Sequence, residues 1–428
     1  MQHNTQTKNS SGKAVAATSI GNALEWYDFS IFAFFAAYIG HSFFEDGNET
    51  SALVKTFLVF GVGFIARPLG AIFLGAYGDK VGRKAALTLT IGLMALGTFI
   101  IAIAPPVWVI GAGAPILLLV GRLLQGFSAG GEIGGATAFL VESAPTHKKA
   151  TYAAWLQASM GISNILAALA GWSVSSLFSP QEINQWAWRL PFIFGLLIVP
   201  VGFYIRKTLH ETEEFTTLQQ QKTEKTPLLD IVSKYPSHLI AGILFSILWT
   251  VCVYTLIIYM PTYYASPNVG LGFQRSDSFL GALLGNIFMV IGCLLSGRLA
   301  DKVGPYKILI FAIIVLMVGS YPILAWLHAN PTVNNLIIAQ SLFCIMVSIF
   351  AGVAPSVLAN FFPVRIRSTG MSITYNIAAI FFAGFTPALM AWATNLNKFA
   401  LSFYLAITGV IALIGLVWMR KLSPTTIY

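Results

Sequence analysis

Apolar residues in this chain form long runs that are separated by short polar segments. Twelve of these runs are close to the roughly 20 residues that a helix needs to cross the hydrocarbon core of a bilayer. The pattern therefore predicts an all-α membrane protein with twelve transmembrane helices. The predicted spans lie near residues 15–39, 52–77, 85–104, 115–141, 151–177, 190–205, 239–264, 279–300, 308–327, 336–361, 370–394 and 401–419.

The composition of the chain also indicates a membrane environment. Of the 428 residues, 56% are hydrophobic and only 10% are charged, whereas a soluble domain carries about 25% charged residues. So few charges cannot cover a water-exposed surface of this size. Lipid must therefore be the solvent for most of the surface.

Basic residues are distributed unequally between the two sides of the predicted membrane. With the N-terminus placed in the cytoplasm, eighteen Lys and Arg residues fall in cytoplasmic segments and four in outer segments. Cytoplasmic loops of membrane proteins carry such an excess of basic residues. We therefore expect a cell (inner) membrane protein with both termini in the cytoplasm. The net charge of +9 is then a topology signal and does not indicate binding to nucleic acid.

A polar segment at 207–237 divides the twelve spans into two sets of six. We expect a cytoplasmic tail at 1–13, a first six-helix bundle at 14–206, this segment as a cytoplasmic linker, a second bundle at 238–420 and a tail at 421–428. Cys252, Cys293 and Cys344 lie far apart inside apolar runs, without the spacing of metal ligands or of a disulfide framework. We therefore expect neither a metal nor a cofactor.

The two halves share short motifs at equivalent places. The second span ends in GAYGDKVGRK at 75–84, and the eighth ends in GRLADKVGPYK at 297–307. A second similarity follows the fourth and tenth spans, where Glu142 and Lys149 correspond to Asn360 and Arg367. Parallel repeats of this kind place a binding cavity between the halves, near the middle of the membrane.

Several segments together resemble the major facilitator superfamily and, within it, the branch of metabolite:proton symporters. They are GNALEWYDF at 21–29, GAYGDKVGRK at 75–84, RLLQGFSAGGE at 122–132, WAWRLPF at 186–192 and TGMSITYN at 369–376. The resemblance implies two six-helix pseudo-repeats that import a small polar metabolite together with a proton by alternating access. The branch includes citrate, 2-oxoglutarate, shikimate and proline/betaine symporters. The chain departs from it at Asn360, where the branch usually has Glu, and at Pro305 and Tyr306, which replace a basic pair.

Five ionisable residues lie inside the predicted spans, all of them in the first half: Glu25, Asp28, Arg67, Arg122 and Glu132. A charged side chain there costs roughly 2.5–3.5 kcal/mol on insertion scales and is a functional candidate by default. Three acids and two arginines leave one negative charge, which one proton neutralises. We therefore predict that the coupling ion is a proton bound by Asp28, Glu132 or Glu25, in that order. Asp28 comes first because it is nearest the middle of its span, and a structural role is the alternative for Glu25.

Arg122, Gln125 and Arg67 are the predicted substrate contacts of the first half. Arg122, Gln125 and Glu132 fall within about 80° of one another on the fourth helix, at about 100° per residue. The alternative for Arg67 is a pair with an acid that holds the first two helices together. The candidates of the second half are neutral, and helix packing is the alternative for each: Tyr254, Asn286, Tyr375 and Asn376.

The repeated motif also has a mechanical interpretation. Asp79 and Asp301 each end a helix, with a Gly three residues further on. An Asp there can contact the N-terminus of a facing helix, where the macrodipole favours an anion. By resemblance, this contact closes the cytoplasmic gate in the outward-open state. The predicted gate comprises Gly75, Asp79, Gly82, Arg83, Lys84, Glu142, Lys149, Gly297, Asp301 and Arg367.

Other functions remain open on the same pattern. Proton-driven efflux is the first alternative, although the fifth span reads MGISNI at 160–165 and lacks the Gly-Pro motif of antiporters in this superfamily. A transporter-like sensor is less favoured because neither terminus supplies a sizeable extra domain, and no nucleophile–base pair indicates an enzyme. The balance of three acids against two arginines favours a monocarboxylate or a zwitterion over a tricarboxylate. We expect a monomer in the lipid bilayer.

Overall fold

The computed structural model describes the backbone of residues 2–44, 47–81, 83–208, 228–269 and 271–423. Within these ranges, it leaves out the side chains at 2–14, 16–17, 75–76, 78–81, 83–87, 131–132, 198, 201–208, 228–230 and 365. The described ranges are helical throughout, apart from short connections, and contain no strand.

Twelve long helices, numbered here α1 to α12, make up most of the described chain. They are α1 (Gln2–Phe34, continued by Ala36–Phe43), α2 (Glu49–Val81), α3 (Arg83–Ile103), α4 (Gly113–Glu142), α5 (Lys149–Leu177), α6 (Leu190–Thr208), α7 (Pro236–Ala265), α8 (Arg275–Val303), α9 (Pro305–Ala329), α10 (Val333–Phe361), α11 (Arg367–Leu396) and α12 (Ala400–Leu422).

These helices agree with the twelve predicted spans. Within the described residues, nine of them are long and apolar enough to cross a membrane, while α3 and α6 contain the shorter apolar stretches Thr88–Ile103 and Ala187–Leu197. The remaining one, α1, begins at Gln2 and therefore makes the predicted tail helical. A short helix at Leu228–Lys234 lies in the predicted linker, and residues 209–227 of that linker lie outside the described residues.

Several of the twelve helices are interrupted, α1 at Phe35 and α10 at residues 352–353 by turns, and three others by stretches of 3-10 or π geometry. A 3-10 turn at Ala129–Gly131 divides α4. Wider π turns divide α7 at Tyr254–Ile258 and α11 at Ile380–Gly384. Such single π turns are rare and occur frequently at functional sites.

The two halves are in contact at both ends of the bundle. We call the end where α1 begins and α12 ends the terminal face, and the opposite end the distal face. At the distal face, the rings of Phe35 in α1 and Phe279 in α8 stack with centroids 5.7 Å apart. Along the bundle, α5 packs on α8, and α11 packs on both α2 and α4. In the described residues, contacts between the two halves therefore extend along the bundle as well as across the distal face.

Candidate functional site

A chain of hydrogen bonds joins three helices of the first half in the middle of the bundle. Arg122 Nη1 donates to Gln125 Oε1 at 2.7 Å, and Gln125 Nε2 donates to Thr98 Oγ1 at 2.8 Å. The Thr98 hydroxyl in turn donates to Asp28 Oδ2 at 2.8 Å. The Thr98 hydroxyl has a single proton and lies within hydrogen-bond distance of both Asp28 Oδ2 and the Met94 carbonyl, so the chain fits either protonation state of Asp28.

Both predicted arginines are buried among aromatic rings. Arg122 is 0% exposed and Arg67 is 1% exposed. The Cζ atom of Arg122 lies 4.4 Å from the ring centroid of Phe32, and that of Arg67 lies 4.1 Å from that of Phe64. Both guanidiniums also contact Phe29, at 4.7 and 4.6 Å. Because they share one ring, the two cations are close neighbours in a low-dielectric site.

The same edge of each guanidinium lacks a partner. Nε and Nη2 of Arg122, and Nε and Nη2 of Arg67, have no hydrogen-bond partner among the described residues. These two atoms form the edge that grips a carboxylate through two parallel hydrogen bonds. A buried charged donor without a partner is costly. The site therefore presents two unpaired donor edges to anionic oxygens.

Arg67 on α2 also contacts α1 through aromatic rings. Its guanidinium lies 5.3 Å from the centroid of Trp26 as well as against Phe29. Cation–π contacts thus tie the first two helices together and leave the Nε–Nη2 edge available. The alternative role of Arg67, a pair with an acid, stays a prediction.

Tyr254, at the start of the π turn in α7, is the residue of the second half that enters this cluster. Its ring centroid lies 5.6 Å from that of Phe64 and 6.1 Å from that of Phe60. Its hydroxyl is buried and has no partner in the part of the chain that the structure describes. Tyr254 can therefore offer a hydrogen bond to the same ligand from the opposite half.

The other three predicted contacts of the second half are placed differently. Tyr375 packs on Trp249 with centroids 4.8 Å apart, and Asn376 Nδ2 donates to the Gly130 carbonyl of α4 at 3.3 Å. Asn286 Nδ2 is bonded to the Ala282 carbonyl within α8. None of these described contacts joins Asn286 to the arginine cluster.

A 3-10 turn removes the basis of the helical-wheel prediction for α4 beyond Gln125. Because a 3-10 turn intervenes at Ala129–Gly131, the angle of about 100° per residue cannot be carried from Gln125 to Glu132. The α-helix resumes at Glu132, whose side chain lies outside the described residues. Glu25 is half-buried on α1.

Asp301 connects the two halves at the terminal face, as the sequence predicted for one copy of the repeated motif. Its carboxylate accepts hydrogen bonds from the backbone N–H groups of Ala150 and Thr151, each at 2.9 Å, and from the Thr151 hydroxyl. The anion thus caps the first turn of α5. Gly304, three residues beyond Asp301, has φ of 102° and makes the turn into α9, a conformation that glycine adopts at little cost.

Glu142 and Arg367, both predicted gate residues, form an ion pair between α4 and α11. Arg367 Nη1 lies 3.1 Å from Glu142 Oε1. Gly297 is also placed at the interface between halves, since a Cβ there would lie 2.7 Å from that of Ala154 in α5. Lys149 begins α5. Gly82 and the side chains at Gly75, Asp79, Arg83 and Lys84 lie outside the described residues.

The sequence analysis missed the residues that complete the cluster. Thr98 carries no charge and lies within the third apolar run, so it gave no signal. Phe29, Phe32, Phe60 and Phe64 were indistinguishable from ordinary membrane-helix residues. Their spacing could have helped for two pairs, because Phe29 and Phe32 are three residues apart and Phe60 and Phe64 are four apart, so each pair shares a helix face.

Comparisons with known proteins identify the family. The model of the Major Facilitator Superfamily matches residues 18–344. The citrate-proton symporter of Klebsiella pneumoniae is 36% identical over 376 residues, which are 88% of this chain and 84% of the relative. The proline/betaine transporter of Escherichia coli (strain K12) is 33% identical over 422 residues, which are 96% of this chain and 83% of the relative.

Solved structures show the same fold. The crystal structure of a D-xylose-proton symporter superimposes with a TM-score of 0.75 at 17% identity, covering 97% of this chain and 98% of that one. The predicted twelve-helix architecture and the family suggested by the motifs are both confirmed. The chain belongs to the Major Facilitator Superfamily, as a multi-pass membrane transporter of its metabolite:proton symporter branch.

Proposed function

We propose that this transporter imports a small organic acid with at least two carboxylates, together with a proton, by alternating access. The observation that carries the proposal is the pair of Nε–Nη2 edges on Arg67 and Arg122, neither of which has a hydrogen-bond partner among the described side chains. One carboxylate fills one such edge. Two edges in one buried cluster therefore match two carboxylates on one ligand, with the Tyr254 hydroxyl as a further donor.

This substrate class differs from the one that the charge balance favoured. The sequence argument placed the arginines opposite the acids, which left little positive charge for a substrate. In the described residues, Asp28 is hydrogen-bonded to Thr98 and reaches Arg122 only through Gln125. The arginine edges are consequently available to the substrate.

A zwitterion such as proline or betaine is the second candidate. Its support is the aromatic lining, since a quaternary ammonium binds over aromatic rings, and the similarity to proline/betaine transporters. The guanidiniums of Arg67 and Arg122 already lie over Phe29, Phe32 and Phe64. An ammonium beside them would be repelled by two like charges, which favours the organic acid.

Asp28 is the proposed proton site, with Glu132 and Glu25 following it. The Thr98 hydroxyl has a second acceptor, the Met94 carbonyl at 3.1 Å. When Asp28 binds a proton, its new O–H can donate to Thr98 while the Thr98 proton turns to Met94. Gln125 would keep its hydrogen bond to Thr98 in both states, so the loss of the negative charge on Asp28, at the other end of the chain from Arg122, would link proton binding to substrate binding.

We further propose that the terminal face is cytoplasmic, in the inner membrane, and that the protein acts as a monomer. The excess of basic residues on this face supports the orientation. The Asp301 cap on α5 and the Glu142–Arg367 pair then form the cytoplasmic gate, together with the remaining residues of the predicted set. A single chain contains both halves of the site.

Uptake by purified protein in liposomes tests the proposal. With only an inward pH gradient imposed, radiolabelled succinate or citrate should accumulate inside the vesicles, and collapse of the gradient should release it. Proline and glycine betaine should neither accumulate nor compete. Accumulation of the zwitterions alone would reject the organic-acid assignment. Accumulation that ignores the pH gradient would reject proton coupling.

A further inference from the structure

The outer third of α7 is separated from the rest of the helix by a backbone break. The π turn at Tyr254–Ile258 carries the i to i−5 bond from Tyr259 N to the Tyr254 carbonyl, at 3.1 Å. In this register, the Leu256 carbonyl would accept from residue 261. That residue is proline, which has no N–H to donate. In the π register, the Leu256 carbonyl therefore has no N–H five residues further on from which to accept.

A side chain from another helix satisfies this carbonyl. Gln340 of α10 is 0% exposed, and its Nε2 donates to the Leu256 carbonyl at 3.0 Å. The Oε1 atom of the same amide accepts a hydrogen bond from the Tyr264 hydroxyl at 2.8 Å. Tyr264 belongs to the segment beyond the break, Met260–Ala265. One amide therefore spans the break, with one hydrogen bond on each side of it.

Residues on both sides of the segment beyond the break contact the first half near the distal face. Tyr259 lies at the break, and its ring contacts Phe57 of α2 with centroids 6.1 Å apart. Just past the segment, Asn268 Nδ2 donates to the Thr50 hydroxyl of α2 at 3.1 Å. Contacts on either side of Met260–Ala265 thus reach the first half. We call Met260–Ala265 the distal lid.

A second break in α11 provides an internal comparison. Its π turn, Ile380–Gly384, is followed by Pro387, which leaves the Phe382 carbonyl without its partner in the same register. There Thr386 of the same helix donates to that carbonyl at 2.7 Å. The helix α11 thus supplies its own partner, whereas α7 depends on α10. Of these two described breaks, the one in α7 is the one whose carbonyl accepts a hydrogen bond from a different helix.

We propose that Gln340 is a positioning residue for transport, which holds the distal lid in its closed position across the break in α7. Tyr254, the first residue of the π turn, faces the two arginines. A ligand that engages Tyr254 therefore acts on the same turn that carries the lid. We call the two hydrogen bonds of the Gln340 amide, to the Leu256 carbonyl and from the Tyr264 hydroxyl, the brace. Through the brace, α10 holds the lid in place once the site is filled. This inference concerns the lid and holds whichever metabolite is carried.

Cysteine labelling tests the brace without any substrate. Thr262 is a buried lid residue whose hydroxyl has no partner among the described residues, so Thr262→Cys is a mild reporter. The three native cysteines are buried and give little background. In the Thr262→Cys protein, Gln340→Leu should speed labelling by a membrane-impermeant maleimide about tenfold, since the Leu256 carbonyl and the Tyr264 hydroxyl lose their partner. Tyr264→Phe, which removes one of the two bonds, should speed it by a smaller factor.

Two controls separate the brace from general loosening. Ser341→Ala removes a hydroxyl whose described bond stays within α10, to the Ile337 carbonyl, and should leave the labelling rate unchanged. A reporter at Ser356→Cys, buried near the terminal end of α10, should stay unreactive in Gln340→Leu. Transport by Gln340→Leu should show a lower Vmax with KM unchanged or lower, because the lid closes less often over a bound ligand. If Gln340→Leu leaves the labelling rate of Thr262→Cys unchanged, or exposes both reporters in parallel, the proposal is overturned.

Discussion

Thr98 lies between Asp28 and Gln125 and bonds to both, so the proposed proton site is joined to Arg122 by a hydroxyl that can both donate and accept. A threonine hydroxyl has one proton and two lone pairs. It can therefore serve either protonation state of Asp28 without moving the backbone. This relationship gives the first of the predictions that follow.

Neutralisation of Asp28 should uncouple substrate transport from proton transport. Asp28→Asn is expected to abolish accumulation driven by a pH gradient and to leave exchange of internal for external substrate largely intact, since exchange need not release the proton. Thr98→Val should weaken the pH dependence without abolishing transport. The measurements are uphill uptake and counterflow in the same vesicles. Uphill accumulation that survives in Asp28→Asn, Glu132→Gln and Glu25→Gln, each made singly, would remove the acid assignment.

Substitution of the two arginines should change the affinity for the substrate, whereas substitution of the acids should change the coupling to protons. Arg122→Lys keeps the charge but loses the fork that grips a carboxylate. We expect KM to rise about tenfold or more, since hydrogen bonds to charged groups contribute roughly 1.5–3 kcal/mol. Arg67→Lys should raise KM for a dicarboxylate far more than for a monocarboxylate of similar size. An equal change for both ligands would mean that Arg67 does not bind the second carboxylate.

The Asp301 cap should hold the terminal face closed. Asp301→Ala removes the acceptor of two backbone N–H groups at the start of α5, and loss of such a cap typically costs about 0.5–2 kcal/mol. The population should shift towards a state open at this face, seen as faster labelling of cysteines placed in the inner cavity. The neighbouring Lys302, which is exposed, provides the control variant Lys302→Ala. By the internal repeat, Asp79→Asn should act in the same direction, and unchanged labelling in both Asp variants would contradict the gate.

Two adjacent glycines of α4 offer a matched pair for the same gate. A Cβ on Gly134 would meet the Ser372 hydroxyl and lie 2.7 Å from the Ser368 carbonyl of α11, whereas a Cβ on Gly135 meets nothing within 4 Å. Gly134→Ala should therefore prevent full closure and reduce uptake several-fold, while Gly135→Ala should behave like the parent. Uptake and inner-cavity labelling measure both effects. If the two variants behave alike, the close approach of α4 and α11 has no role in the cycle.

The orientation of the bundle is open to a direct test. The unequal distribution of basic residues predicts that the 207–237 segment and the C-terminus lie in the cytoplasm. Epitope tags at both places should be detected only after the cells are permeabilised. A tag at 111–113, between α3 and α4, should be detected on intact cells. Detection of either of the first two tags on intact cells would reverse the assignment of the faces.

Sequence patterns predicted the helices well because length and apolarity are local properties. They also located Asp28, Arg67 and Arg122, since a charge within an apolar run stands out. Sequence patterns did not predict the features that depend on local backbone geometry within a helix. The 3-10 turn in α4 invalidated the angle to Glu132, and the wide turns in α7 and α11 left no periodic signal.

Hydrogen-bond partners that lie far apart in the chain could not be predicted from the sequence patterns either. Gln340 looked like one polar residue among many in a membrane helix, although its amide bonds to α7 at two points. Its role follows from Pro261 and from the register of a turn that the sequence does not reveal. Thr98 was missed for the same reason, because a hydroxyl becomes informative only once its neighbours are known.

The π turn in α11 also affects how this helix can change length in evolution. A π turn contains about one residue more than the α-helical turn that it replaces. Deletion of a single residue between 380 and 384 could therefore be absorbed by conversion of the π turn into a regular α-helical turn. Thr386–Leu396 would keep its orientation, and the same side chains would still face α2. An alignment gap of one residue at this point in a relative would therefore mark the loss of the π turn, with the helix face retained.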